Sequence, residues 1–88
     1  MSEKELEKIL KALANKRRIL ILKYLKRAGS TSVGDIADAI KLSFKATSKH
    51  LMILFNADII DKEQVSIAMI YSLPKNHHPI VKKLLSIL

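Results

Sequence analysis

A chain of 88 residues can bury one compact core but not a second independent one. Hydrophobic residues make up 49% of it, with only two glycines and two prolines, which argues against a disordered or collagen-like polypeptide and for a packed, helix-rich one. Sixteen Lys and Arg against eight Asp and Glu give a net charge of +8, so a polyanionic partner is expected, nucleic acid first among them.

Without cysteine the chain offers no disulfide framework, thiolate metal site or cysteine nucleophile. Its uncharged runs fall far short of the roughly 20 apolar residues that a spanning helix needs. Charged Glu3, Lys4 and Glu5 stand where a signal peptide would be apolar. A cytoplasmic protein with no membrane partner is expected.

Leu6, Ile9, Leu10 and Leu13 recur at the i, i+3, i+4, i+7 spacing of one helical stripe and predict a first helix over 2–14. Asn15 can cap a second helix, in which Ile19, Leu20, Ile21, Leu22, Tyr24 and Leu25 leave little polar surface. That helix is expected to be central and to end near Ala28 and Gly29, with Lys26 and Arg27 complementing its negative end. Lys16, Arg17 and Arg18 in its first turn oppose the helix dipole; they are read either as phosphate contacts or as solvated cations.

Ser32 followed by Asp35 marks another helix start, and Val33, Ile36, Ala37 and Ile40 carry the apolar stripe for about two turns. Ser43 then caps a fourth helix over 43–56. Its Thr47, Leu51, Leu54 and Phe55 are expected to face inward, and its Ser43, Lys45, Ala46 and Lys49 outward. Two short helices separated by Lys41 and Leu42 form a helix-turn-helix, whose close crossing the small Ala37 permits.

Beyond Asp58, apolar Ile59 and Ile60 and the run Ile67–Leu73 read as the strands of a hairpin, with polar Asp61–Ser66 between them. Ile67, Met69, Tyr71 and Leu73 are expected to cover the core. Pro74 and Pro79 punctuate the exit to an apolar terminal helix containing Ile80, Val81, Leu84, Leu85, Ile87 and Leu88. The fold class is therefore mainly α with a small β-hairpin: about five helices and a two-stranded wing, one unit over 1–88.

Several segments together resemble the ArsR family of regulators. They are Ala12-Leu13-Ala14-Asn15 with Arg18 and Ile21-Leu22; Ser32-Val33-Gly34-Asp35-Ile36-Ala37; Ser48-Lys49-His50-Leu51; and Tyr71 with Leu73. Ser-Lys-His-Leu inside a capped helix is the most specific part. The resemblance implies a winged helix-turn-helix homodimer joined through its first and last helices, with each fourth helix in the major groove of half of an inverted-repeat operator. Leu6, Ile9, Leu10, Leu13, Ile80, Val81, Leu84, Leu85 and Leu88 would then form the dimer interface. Double-stranded DNA would meet Lys41, Ser43, Phe44, Lys45, Ala46, Ser48, Lys49, Arg18 and Lys62.

Three positions depart from the family pattern. Lys41 and Asp58 stand where glycine is usual, and Asp tolerates a left-handed backbone better than Lys does. Phe44 stands where a polar residue is usual, and packing against the third helix is its expected role, contact with a thymine methyl the alternative. The hairpin should contribute little to DNA binding, because Lys62 is its only cation and Asp61 and Glu63 flank it.

Neither of the family's metal sites has its ligands, and no cofactor is expected. Thr31, Val33 and Asp35 occupy the thiolate positions, and beyond His77 and His78 the last helix offers only lysines, a serine and aliphatics. Adjacent His77 and His78 read as a solvated pair at a helix start, and His50 as a packing and hydrogen-bonding residue. With no catalytic constellation in view, a non-enzymatic repressor is the leading reading. The competing one is a winged-helix module that binds another protein through its acidic wing and apolar terminal helix.

Overall fold

Short polar side chains start each of the first four helices by accepting an amide hydrogen of the first turn. In the computed structural model, which describes Met1–Leu88, Ser2 accepts from Glu5 N ahead of α1 (Glu3–Leu13) and Asn15 from Arg18 N ahead of α2 (Lys16–Ala28). Ser32 accepts from Asp35 N ahead of α3 (Val33–Ile40), and Ser43 from Ala46 N ahead of α4 (Phe44–Asn56). The last helix, α5 (Pro79–Ile87), opens with proline, whose missing N–H costs nothing there, and the His78 ring caps it by accepting from Ile80 N at 3.2 Å. His77 and His78 are both half-buried, not the solvated pair expected; His78 is occupied as a cap.

Helices α3 and α4 close in the same way, and without glycine. Leu42 N donates to Ala37 O and Lys41 N to Asp38 O; one helix later Ile59 N donates to Leu54 O and Asp58 N to Phe55 O. These are paired Schellman bonds, which require a left-handed residue after the helix. Lys41 (φ 55°) and Asp58 (φ 58°) supply it. Left-handed backbone costs a residue with a Cβ roughly 1–2 kcal/mol, so both turns hold some strain. The partly buried Leu42 and buried Ile59 that follow give each motif its apolar clasp.

The hairpin differs from its expected form. Strand β2 (Asp61–Val65) consists of the residues read as a turn, and it pairs with β3 (Ala68–Ser72) from Asp61↔Ser72 to Val65↔Ala68. Only Ser66 and Ile67 make the turn, with Ser66 at φ 58°. Ile67 therefore stands at the tip, 98% exposed, and does not cover the core as expected; Tyr71 does, with Met69 and Leu73 partly buried beside it. The two-stranded wing also gains a third strand, because β1 (Thr31–Ser32) pairs antiparallel with β3 to give the order β1-β3-β2. This short strand fixes the entry to α3 against the base of the wing.

The core is one cluster. Ile21, Leu22 and Leu25 of α2 are fully buried with Ile36, Leu51, Leu54, Ile59, Ile60 and Val81, so α2 is the central helix that its apolar run predicted. Ile9, Leu13, Val81 and Leu85, expected at a dimer interface, are buried within the protomer instead. The outer stripe of α1 keeps Leu6 half-buried and Leu10 46% exposed; on α5, Ile80, Leu84 and Leu88 are partly buried and Ile87 is exposed. No helix is long and apolar enough to cross a membrane.

Candidate nucleic-acid interface

Helix α4 rests on α3 and the core through Thr47, Leu51 and Leu54, all fully buried. At 100° per residue the opposite face is centred on Lys45, Lys49, Met52 and Asn56, with Phe44 and Ser48 along one border. All but the half-buried Ser48 are exposed. From Lys41 to Asn56 the chain carries three lysines and no carboxylate. The first turn of α4 also lacks the acidic residue that would ordinarily complement a helix N-terminus. Ser43 marks that end with its hydroxyl engaged at Ala46 N, 3.1 Å away. Lys41, in the left-handed turn just before, is exposed, and Ala46 is half-buried. The helix-turn-helix thus brings Lys41, Ser43, Phe44, Lys45, Ser48 and Lys49 onto one rigid, positively charged surface.

Arg18 does not join that surface, contrary to expectation. Its Nε donates to Ala12 O at 2.6 Å and its Nη2 to Lys11 O at 3.2 Å, so the guanidinium caps the C-terminal carbonyls of α1. Its Nη1 lies 3.2 Å from His50 Nδ1. Arginine can only donate, so Nδ1 is the acceptor of a neutral imidazole. Burial, reinforced by the charges of Arg18 and Arg17, holds the His50 pKa below the usual histidine value. The bridge ties α4 to the end of α1 from behind its exposed face. Lys16 and Arg17 remain exposed; the one ion pair in the molecule is Lys11–Glu7, at 3.9 Å on the surface of α1.

Lys62 is exposed and rests on an aromatic ring. It sits at the base of β2, paired with Tyr71, and its ammonium lies 4.3 Å from the centre of the Phe55 ring. No cation stands between it and the tip, where Val65 and Ile67 are exposed. Phe44 departs from its expected role in the other direction. It is 64% exposed and takes no part in the apolar cluster between α3 and α4. Met52, 61% exposed and one turn beyond Ser48 and Lys49, belongs to the same strip; the helical period that selected the lysines would have found it.

Five helices with a helix-turn-helix at α3–α4 and a β-hairpin beside it define a winged helix-turn-helix domain. Residues 15–62 match the arsR family of bacterial regulatory proteins, and the chain belongs to that family. It is 34% identical over 65 residues to the HTH-type transcriptional regulator YgaV of Escherichia coli (strain K12), an alignment covering 74% of this chain and 66% of that protein. It is 37% identical over 57 residues to the arsenical resistance operon repressor of Bacillus subtilis (strain 168), covering 65% and 54%. The match therefore spans just under two thirds of the first relative and about half of the second. Among solved structures, reduced HlyU from Vibrio cholerae N16961 superposes with a TM-score of 0.80 at 29% identity, covering 97% of this chain and 85% of that one.

Proposed function

We propose that the chain binds double-stranded DNA as a homodimer and represses transcription from an inverted-repeat operator. In this reading α4 lies in the major groove, with Lys45 and Lys49 on phosphates and the first turn at base edges. The observation that carries it is the exposed face of α4, where lysines accumulate without a single carboxylate from Lys41 to Asn56. Two relatives described as a transcriptional regulator and an operon repressor support the regulatory assignment.

Dimerisation uses the outer stripes that the protomer leaves exposed or only partly covered: Leu6 and Leu10 on α1, and Ile80, Leu84, Ile87 and Leu88 on α5. Ile9, Leu13, Val81 and Leu85 support these stripes from inside. A two-fold axis would set the two copies of α4 one helical turn apart on DNA, about 34 Å. Selection of bound sequences from a random duplex pool tests the proposal as a whole. An inverted repeat whose half-site centres lie about 10 bp apart, or a multiple of that, is expected. Selected sequences with a single unpaired site would remove the dimer, and no retained duplex at low salt would remove DNA binding.

The bare apolar tip of the wing, with Ile67 98% exposed, favours the alternative of a module that binds another protein. Under that reading the chain retains no duplex at low salt and captures a protein partner through Val65 and Ile67.

A further inference from the structure

Phe44 is an apolar ring held in a basic surface, and the fold does not use it. It is the first residue of α4, where the Ser43 cap fixes the backbone, and it is 64% exposed. Leu42, two residues earlier, packs on the core, but Phe44 does not. Lys41, Lys45 and Lys49 surround it in sequence, with no carboxylate between Asp38 and Asp58.

From this placement we infer that Phe44 reads thymine through its 5-methyl group, once in each half-site. The inference rests on the proposed insertion of α4 into the major groove. The lysines select a polyanion, and a polyanionic duplex exposes just one apolar group on its major-groove base edges, the thymine methyl. Against guanine, cytosine or adenine the ring would instead cover N7, O6, N4 or N6 and leave those groups without hydrogen-bond partners. Phe44 is thus a specificity-determining residue acting by apolar fit and by exclusion, in a helix whose Lys45 and Lys49 hold the backbone.

The test uses the operator recovered by selection, with each thymine replaced in turn by deoxyuridine, which removes the methyl group and nothing else. For the wild-type protein, one symmetric pair of replacements is expected to weaken binding by about fourfold per half-site, the factor corresponding to one buried methyl or methylene group. Phe44→Ala, whose melting temperature should equal that of the wild type because the ring is exposed, should bind thymine and deoxyuridine equally at that pair. Phe44→Leu should keep part of the discrimination. Wild-type binding indifferent to every replacement, or a Phe44→Ala protein that still senses the same methyl, would overturn the inference while leaving DNA binding intact. Failure of any duplex to bind would overturn both readings.

Discussion

The stretch from Lys41 to Asn56 carries three lysines and no carboxylate, whereas the hairpin from Asp61 to Ser72 carries one lysine against Asp61 and Glu63. In α4 the lysines stand free on the face opposite Thr47, Leu51 and Leu54. In the wing the lone ammonium lies on Phe55 at the base, and the tip is Val65 and Ile67. Neighbouring parts of one small fold thus present different surface chemistry. A phosphate backbone would be attracted to the helix and would find no counter-charge at the tip of the hairpin. The contrast also explains why net charge alone is a poor guide to an interface. Arg18 counts toward the +8, yet it is drawn into the protein's own structure, and Lys62 rests on the Phe55 ring.

The severest way to break the comparison is from beneath α4. Leu51 is fully buried there, and Leu51→Ala should cost about 2–5 kcal/mol of folding stability, measured by urea denaturation. A loss below about 1 kcal/mol would mean that α4 is not seated as described. Next in size, the Lys45→Ala/Lys49→Ala double variant should fold normally and lose tenfold or more in DNA affinity at low salt. Its slope of log affinity against log salt should flatten by about 0.9 for each phosphate contact removed. Lys62→Ala sharpens the contrast from the other side. Removing a surface cation–π contact should cost no more than about 1 kcal/mol of stability and leave the salt slope unchanged.

The smallest effect concerns pH. The folded His50 has a pKa below the ordinary 6.5 because burial and Arg18 disfavour its charge. Below that ordinary value the unfolded chain takes up a proton that the folded one refuses. Stability should therefore be complete above pH 6.5 and decline as pH falls from there toward the lowered folded value. His50→Gln should remove this decline from thermal melts, and an unchanged decline would assign it to other groups.

Local chemistry made much of the fold legible in the sequence. Asn15, Ser32 and Ser43 mark helix starts because a cap is made within three residues, and the helical period identifies Thr47, Leu51 and Leu54 as inward. What was hidden depends on contacts distant in sequence. The strand Thr31–Ser32 exists only because Tyr71 and Ile70 pair with it. Strand β2 is exposed on both faces, so Asp61–Val65 lacks the alternation that identifies a strand. Spacing could not show that Arg18 would turn back to Ala12 and reach across to His50. Nor could it divide the apolar stripes of α1 and α5 between the protomer's core and an outer face. The exposure of Phe44 was equally invisible, since one apolar residue beside a capped helix start reads as packing until its neighbours are known.

Titration of isotope-labelled protein with operator duplex, followed residue by residue by NMR, tests the separation of helix and wing most directly. The largest amide shifts should fall between Lys41 and Lys49 and weaken steeply as salt is raised, while Ser66 and Ile67 at the wing tip move little. Shifts at the wing tip equal to those of α4, or confined to α1 and α5, would contradict the assignment of DNA reading to α4.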